Sequence, residues 1–461
     1  MGDDFRIEKD SMGEVRVPAD AYYGAQTRRA VENFPVSGRP LPLPVLHAAA
    51  LVKRLAADVN ATLGLIPPPL ADAIVRAARE VERGEHDRDL VVDVFQTGSG
   101  TSSNMNVNEV IANRANELLG NPRGSYRPIH PNDHVNRCQS SNDVIPSSIR
   151  IALRRELEQG LAPALDGLAA ALAERGRAFA DVLKIGRTHL MDAVPVTLGQ
   201  ELGGYAAQIA HGARRVRAAF ADLEELPLGG TAVGTGLNAH REFGPRVIAA
   251  LAETTGVPFR PAENRFEAMG AQDPLVAASG AMRTVAASVL KIAQDLRLLS
   301  SGPRCALGEI TLPELQPGSS IMPGKVNPVI AEVAIQVAVQ VMGNDVVTGI
   351  AGGLGVLELN VMQPLLARNV LESAALLTAA AGLLTRKCVA GIEANARRCA
   401  DLIEQSLAMV TPLAVRIGYN RAAELAHEAY HSGKSIRQVL QERHVFPEDE
   451  IDALLDPSTM I

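Results

Sequence analysis

The chain has 461 residues, 47% hydrophobic and 21% charged, enough apolar material for a large buried core and too much for a disordered chain. Forty-five Lys and Arg against 52 Asp and Glu leave a net charge of −7 without a long run of one sign, and aromatics make up 3% with no Trp, which argues against a nucleic-acid partner. The richest apolar stretch, Ala374 to Leu384, is interrupted by Thr378 and falls short of a membrane helix, and Met1 to Arg6 carries neither signal region nor lipidation site, so a soluble, cytoplasmic chain without a membrane partner is expected.

In chain order, a short β-like opening at residues 5–17 gives way to almost continuous helical patterning, broken by Gly- and Pro-rich loops near 38–44, 120–131, 226–238 and 301–324. The fold class is therefore mainly α, with long bundle helices. Three apolar stripes advance in steps of three and four: Leu161, Leu165, Leu168 and Leu172; then Leu198, Leu202, Tyr205, Ile209, Ala213, Val216, Phe220 and Leu223; then Met282, Val285, Val289, Ile292, Leu296 and Leu299. Small residues on further faces of the second stripe, among them Gly203, Gly204, Ala207 and Gly212, offer more close-packing surface than one chain's bundle uses, which predicts a homo-oligomer. The four cysteines, Cys138, Cys305, Cys388 and Cys399, have no CxxC spacing and are expected to be inert buried thiols.

Four segments are dense in Ser, Thr, Asn and Gly. The first, Thr97 to Asn104, leads into a helical pattern and sets hydroxyls and amides at a helix N-terminus suited to a carboxylate, although an N-cap cluster without a ligand has the same composition. The second runs from His130 to Asn136 and on through Gln139 to Asp143. The third, Gly186 to Asp192, lies between two bundle helices and presents His189 beside Thr188, a candidate acid or base. The fourth, Pro317 to Pro328, combines glycines that permit unusual dihedrals with prolines that restrict the alternatives, in the manner of a mobile lid. Its Lys325 and Asn327 suit a carboxylate, while an adjacent Ser could remove a proton from the neighbouring carbon as the cation stabilises the developing charge.

His427-Glu428-Ala429-Tyr430-His431 matches HExxH, the metallopeptidase helix pattern. No further His at the metzincin spacing follows, and the segment is remote in sequence from every hydroxyl-rich loop. It is read as a coincidence on an exposed helix face.

Together the four segments resemble the fumarase and aspartase superfamily, whose signature GSSxMPxKxNP is matched from Gly318 to Pro328 without a gap. The likeness extends from Arg6–Gly13 through Gly229–Gly236 to Ile417–Tyr419. Within the superfamily the chain is similar to class II, iron-independent fumarases. His189 stands where aspartases carry Gln, Gly324 where they carry Ala before the signature lysine, and His130 precedes Pro131; Leu312–Gln316 and Val329–Glu332 read closer to some aspartases.

The resemblance implies a three-domain fold divided at 1–138, 139–395 and 396–461, with the central long helices building the core of a homotetramer whose active sites each draw on three subunits. It implies reversible hydration of fumarate to (S)-malate, a citric acid cycle step, through an aci-carboxylate carbanion, without cofactor or metal. By similarity Ser319 is the C3 base, His189 the acid and base at the hydroxyl with Glu332 as its partner, and Lys325 a stabiliser of negative charge. Ser99, Gly100, Thr101, Arg127, Ser140, Ser141, Asn142, Thr188, Ser320, Lys325, Val326 and Asn327 match the family's substrate-binding positions. His130, Pro131, Asn132 and Asp133 match its second anion site. The resemblance also implies a C-terminal tail trimmed shortly after Met460. An aspartate ammonia-lyase and a catalytically retired structural relative are the alternatives.

Overall fold

A computed structural model describes residues 4–461. They gather into two compact units, one from residues 4–162, 214–284 and 340–377, the other from 163–213, 285–339 and 378–461. The chain is mainly helical, as its periodicity predicts, and among the described residues strands occur only as five two-stranded pairs.

The expected β-like opening of the first unit is a hairpin, Phe5–Asp10 antiparallel to Gly13–Pro18, with Phe5 opposite Pro18 and Asp10 opposite Gly13. Helix Pro68–Glu82 starts with proline in its first turn, where a missing N–H costs nothing, and buries Ala71, Ile74, Ala77, Ala78 and Val81 along one face. Its neighbour Leu43–Thr62 packs against both that helix and Ser141–Glu156 and is buried on most faces, Lys53 included.

Helix Thr101–Leu118 has an unusually polar interior, with Asn104, Asn106, Asn108, Glu109, Asn113 and Asn116 all buried. Such groups persist in a core only when hydrogen-bonded, and here Asn106, Glu109, Asn113 and Asn116 bond backbone groups of the surrounding segments, while Asn104 and Asn108 donate to the Asn136 side chain. Asn116 exchanges two bonds with the peptide groups of Ile129 at 2.8 and 3.0 Å. Asn113 donates to the Tyr22 carbonyl at 2.8 Å and accepts from the Gly124 amide at 2.7 Å. Glu109 accepts from the amides of Gly24, Gln26 and Thr27. The helix thus splints the loops around it.

In the second unit, hairpin Leu183–Thr188 and Met191–Thr197 is packed through Ile185 onto the C-terminal helices, whose core contains Ile403, Leu413, Leu425, Val439 and Ile451. The leucines of the first predicted stripe are buried, as are Leu198, Leu202, Tyr205, Ile209 and Ala213 of the second and Val285 to Leu296 of the third. The middle helix is shorter than its stripe suggests: it ends at Ala218, and Phe220–Leu223 form a separate turn. Gly176 and Gly199 let two backbones touch, since a Cβ on Gly199 would lie 2.5 Å from the Gly176 carbonyl oxygen.

Two expectations need correction. Helices Asp273–Leu299, Val329–Gly352 and the span Gln363–Gly391 are long and apolar enough to cross a membrane by length and mean hydropathy. Unbroken apolar runs do not reveal them because Ala, Val, Leu and Ile keep the mean hydropathy high between scattered polar residues. Several of those polar residues, including Ser279, Asn344, Thr348 and Ser373, are buried and hydrogen-bonded in the first unit, as bundle helices require. Of the cysteines, Cys138, Cys388 and Cys399 are buried free thiols, but Cys305 is exposed. Burial pushes the Cys388 thiol up to about 12, far from reactivity.

Candidate active site

The candidate residues divide between the two units. In the first, Ser99 Oγ lies 2.7 Å from Thr101 Oγ1, which lies 2.6 Å from Ser141 Oγ, so three hydroxyls from two of the predicted segments form one chain. Gly100 makes this possible: its φ of +72° suits glycine, and a Cβ there would lie 2.9 Å from Ile145 on the helix that begins at Ser141. As the N-cap of Thr101–Leu118, Gly100 has no side chain to offer the first-turn amides, and Gln96 Oε1 takes only that of Ser103. Ser140 caps the other helix in a reciprocal box with Asp143, and Asn142 Nδ2 donates to the Ala232 carbonyl at 2.8 Å.

Asp143 and Lys53, to which the sequence pattern gives no role, are buried charged groups bonded to the segments around the serine cap. Asp143 is fully buried and accepts from the amides of Ser140, Gly229 and Thr231 at 2.9 to 3.0 Å, tying the Gly229–Gly236 loop to the serine cap. Burial raises its carboxyl to about 6 against the opposing pull of those amides and of Lys53. Lys53 Nζ donates to Asn136 Oδ1 at 2.7 Å, and the same oxygen accepts from Asn104 and Asn108 at 3.3 and 3.2 Å. Burial draws the Lys53 amine down to about 7, with the Asp143 charge acting in the opposite direction. The available signal is the Lys53-Arg54 pair within the run Ala48–Ala57, which is otherwise apolar.

His130 Nδ1 accepts from the amides of Asn132 and Asp133 at 3.2 and 3.4 Å, and its own amide donates to His134 Nδ1 at 3.0 Å. A ring nitrogen that accepts two N–H bonds carries no proton, so its 3.4 Å approach to the Asp133 carboxylate is not an ion pair in this arrangement. Pro131 is buried, whereas Asn132 and Asp133 are exposed. The exposed Arg127 precedes Pro128 on the adjoining loop.

In the second unit, the predicted loop around His189 is the turn of a hairpin. Arg187 pairs with Asp192 and Thr188 with Met191, leaving His189 and Leu190 as the two turn residues, both at positive φ, 55° and 62°. Two-residue turns of this hand favour Asn and Gly, so a His-Leu pair holds a strained conformation that projects both side chains outward. The strand below is fixed by Arg187, which bonds both oxygens of the buried Glu309 at 3.0 and 2.9 Å, and by Lys184, 3.4 Å from the same carboxylate. Neither Arg187 nor Glu309 stands out in the sequence as a partner of the other.

The signature segment closes a compact loop. Gly318 N–H donates to the Lys325 carbonyl at 2.6 Å, Asn327 Nδ2 to the Gly318 carbonyl at 2.8 Å, and Lys325 Nζ to Asn327 Oδ1 at 2.6 Å. A Cβ on Gly318 would lie 2.6 Å from that Lys325 oxygen, so only glycine permits the closure. Ser319 Oγ accepts from the amides of Ile321 and Met322 at 3.2 and 3.0 Å. Ser320 and Val326 are exposed on the same loop. Lys325, Val326, Asn327 and Glu332 line an open cleft of about 730 Å³ that Leu190 from the hairpin tip also borders. Neither His189 nor Ser319 lines it, and no hydrogen bond joins His189 to Glu332 among the described residues.

The family model described as lyase matches residues 13–343, and that of the fumarase C C-terminus matches 409–461. A protein of Thermosynechococcus vestitus named fumarate hydratase class II is 52% identical over 452 residues, covering 98% of this chain and 97% of its own. Its namesake in Neisseria meningitidis is 50% identical over 456 residues, with 99% of each chain covered. The crystal structure of a class II fumarase from Schistosoma mansoni superimposes with a TM-score of 0.95 at 40% identity, covering 98% of both chains.

Proposed function

The chain belongs to the class II fumarate hydratase family of lyases, and on that premise we propose how its residues carry out the family's reaction. It is a hydro-lyase that adds water reversibly to fumarate to give (S)-malate. In the malate-to-fumarate direction Ser319, as alkoxide, takes the C3 proton. The electron pair left on carbon delocalises into the adjacent carboxylate, and the C2 hydroxyl leaves as water after receiving a proton from His189. Hydration is the reverse. Because a proton beside a carboxylate is weakly acidic, the rate depends on groups already oriented toward the negative charge as it forms.

The observation that carries this reading is the pair of amides on Ser319 Oγ. Hydrogen bonds to the charged form of a group favour that form, so two N–H donors and the ammonium of Lys325 on the same closed loop all favour the serine alkoxide. Lys325 and Asn327 stabilise the negative charge, while Ser99, Gly100, Thr101, Ser140, Ser141, Asn142, Thr188, Ser320 and Val326 bind the dicarboxylate, mostly through neutral donors, and Arg127 assists electrostatically. Neutral donors hold a dianion without trapping the product. His130, Pro131, Asn132 and Asp133 form a separate anion site. Glu332 partners His189 across a subunit boundary.

A homotetramer with each site built from three subunits is part of this proposal. Its support is the outer face of helix Val329–Gly352, where Val333, Val339, Val346 and Ile350 are exposed and a Cβ on Gly343 or Gly349 would meet nothing within 4 Å. An apolar face bearing such gaps suits close packing against another copy. The cytoplasm as its location and a threefold division at 138/139 and 395/396 belong to the same reading, the C-terminal part supported by the separate family match there. The test is Ser319→Ala, which abolishes turnover of malate while the assembly persists; near-normal turnover overturns the base assignment.

A further inference from the structure

The pattern His427-Glu428-Ala429-Tyr430-His431 is unused by the reaction, and its geometry differs from that of a metallopeptidase. Helix Tyr419–Ser432 buries Ala422, Leu425 and Ala429 on one side. His427 and His431, four residues apart, therefore stand one above the other on its exposed side. Their Nε2 atoms lie 3.0 Å apart, with ring centroids separated by 4.2 Å. Tyr430 packs edge-on against His431 at 5.3 Å.

Two imidazole nitrogens that each bind a metal at about 2.0 to 2.1 Å and sit 3.0 Å apart subtend roughly 95° at the ion. That is the angle between adjacent ligands of an octahedral or tetragonal ion. The Glu428 carboxylate accepts from Arg443 Nε at 2.9 and 3.2 Å, so it is neither a third ligand nor a free general base. Among the described residues no group of three or more His, Cys, Asp or Glu side chains is placed to hold a metal, so water would complete the coordination.

We propose that His427 and His431 form a two-point surface chelate for a divalent transition-metal ion, separate from the fumarate reaction. Imidazole ligands select copper, nickel or zinc over magnesium or calcium, and the site follows that order. The hydrogen bond between the two rings already holds both nitrogens side by side, and the Nε2 proton that bridges them leaves for Nδ1 or solvent when the ion binds.

The experiment uses full-length, untagged protein. Zinc titrated calorimetrically binds at one ion per chain at this site, magnesium does not compete, and the protein is retained on nickel-charged chelating resin until imidazole is added. His431→Ala and His427→Ala each weaken zinc binding about tenfold or more, through loss of one of two ligands. Glu428→Gln leaves zinc binding unchanged, and all three variants turn over malate as the parent does, which also shows that they are folded. Equal zinc affinity in the parent and His431→Ala, or a loss in Glu428→Gln matching that in the histidine variants, overturns the proposal.

Discussion

Lys53 Nζ donates to Asn136 Oδ1 at 2.7 Å, joining the buried middle of helix Leu43–Thr62 to the segment that leads into Ser140. Asn136 Nδ2 in turn donates to the Gln139 carbonyl at 3.1 Å, one residue before the serine cap. The position of the Ser140–Ser141 hydroxyls therefore depends on a lysine that touches no candidate substrate group.

This relationship predicts a pH dependence. Burial lowers Lys53 to about 7 in the folded protein, from an ordinary lysine value of 10.5. Between those values the unfolded chain binds a proton that the folded chain does not, so stability gains a contribution that rises with pH, by up to about 1.4 kcal/mol per unit. In Lys53→Met that rise disappears. The Asp143 carboxyl, already at about 6 with Lys53 opposing its burial, moves further up. Ionising a group whose folded value is raised costs stability as pH climbs through that value, so the variant loses stability toward alkaline pH relative to the parent. Urea unfolding from pH 6 to 10 reads both effects.

The hairpin turn offers a clean separation of chemistry from structure. His189 adopts a φ of 55°, a conformation asparagine tolerates better than other non-glycine residues. His189→Asn therefore keeps the turn and the melting temperature while removing the proton carrier, and malate turnover falls about 10² to 10⁴-fold. A parallel loss of thermal stability would locate the defect in the hairpin.

Below that turn, the Arg187–Glu309 pair is buried and bidentate, with the Glu309 side chain fully inaccessible. Removing one partner leaves an uncompensated buried charge, so Arg187→Met destabilises the protein by about 3 to 5 kcal/mol. Chemical denaturation measures this directly. Lys184, 3.4 Å from the same carboxylate, softens the loss, and a combined Arg187→Met and Glu309→Gln variant costs less than the sum of the two single changes.

Periodicity made the helical architecture legible because the buried stripes from Leu161, Leu198 and Met282 repeat at the helical interval. The signature loop was legible because its closure demands fixed residue types: Gly318 where a Cβ would strike the Lys325 carbonyl, Asn327 where an amide spans the loop. What escaped was tertiary. The apolar run around Lys53 announces its burial but not its partner, and nothing local to Asp143 or Glu309 announces a buried partner that is distant in sequence. The His189 hairpin escaped because its turn lacks the glycine or asparagine that ordinarily marks one.

The exposed face of Val329–Gly352 predicts the behaviour of the assembly. Val346 is 62% exposed in one chain, and in the proposed tetramer it is covered by another. Val346→Asp would bury a charge there at a cost of several kcal/mol, so the variant sediments as a smaller species and loses malate turnover while its helical circular dichroism persists. An active monomer would show that one chain holds a complete site.

Hydration activity is read by the ultraviolet absorbance of the fumarate double bond after the purified protein is mixed with (S)-malate, in parallel with aspartate, both under a chelator. A fumarate hydratase gives a rise with malate and none with aspartate. A rise with aspartate alone would reassign the chain to ammonia elimination, and no rise with either would contradict its identity as a working hydro-lyase.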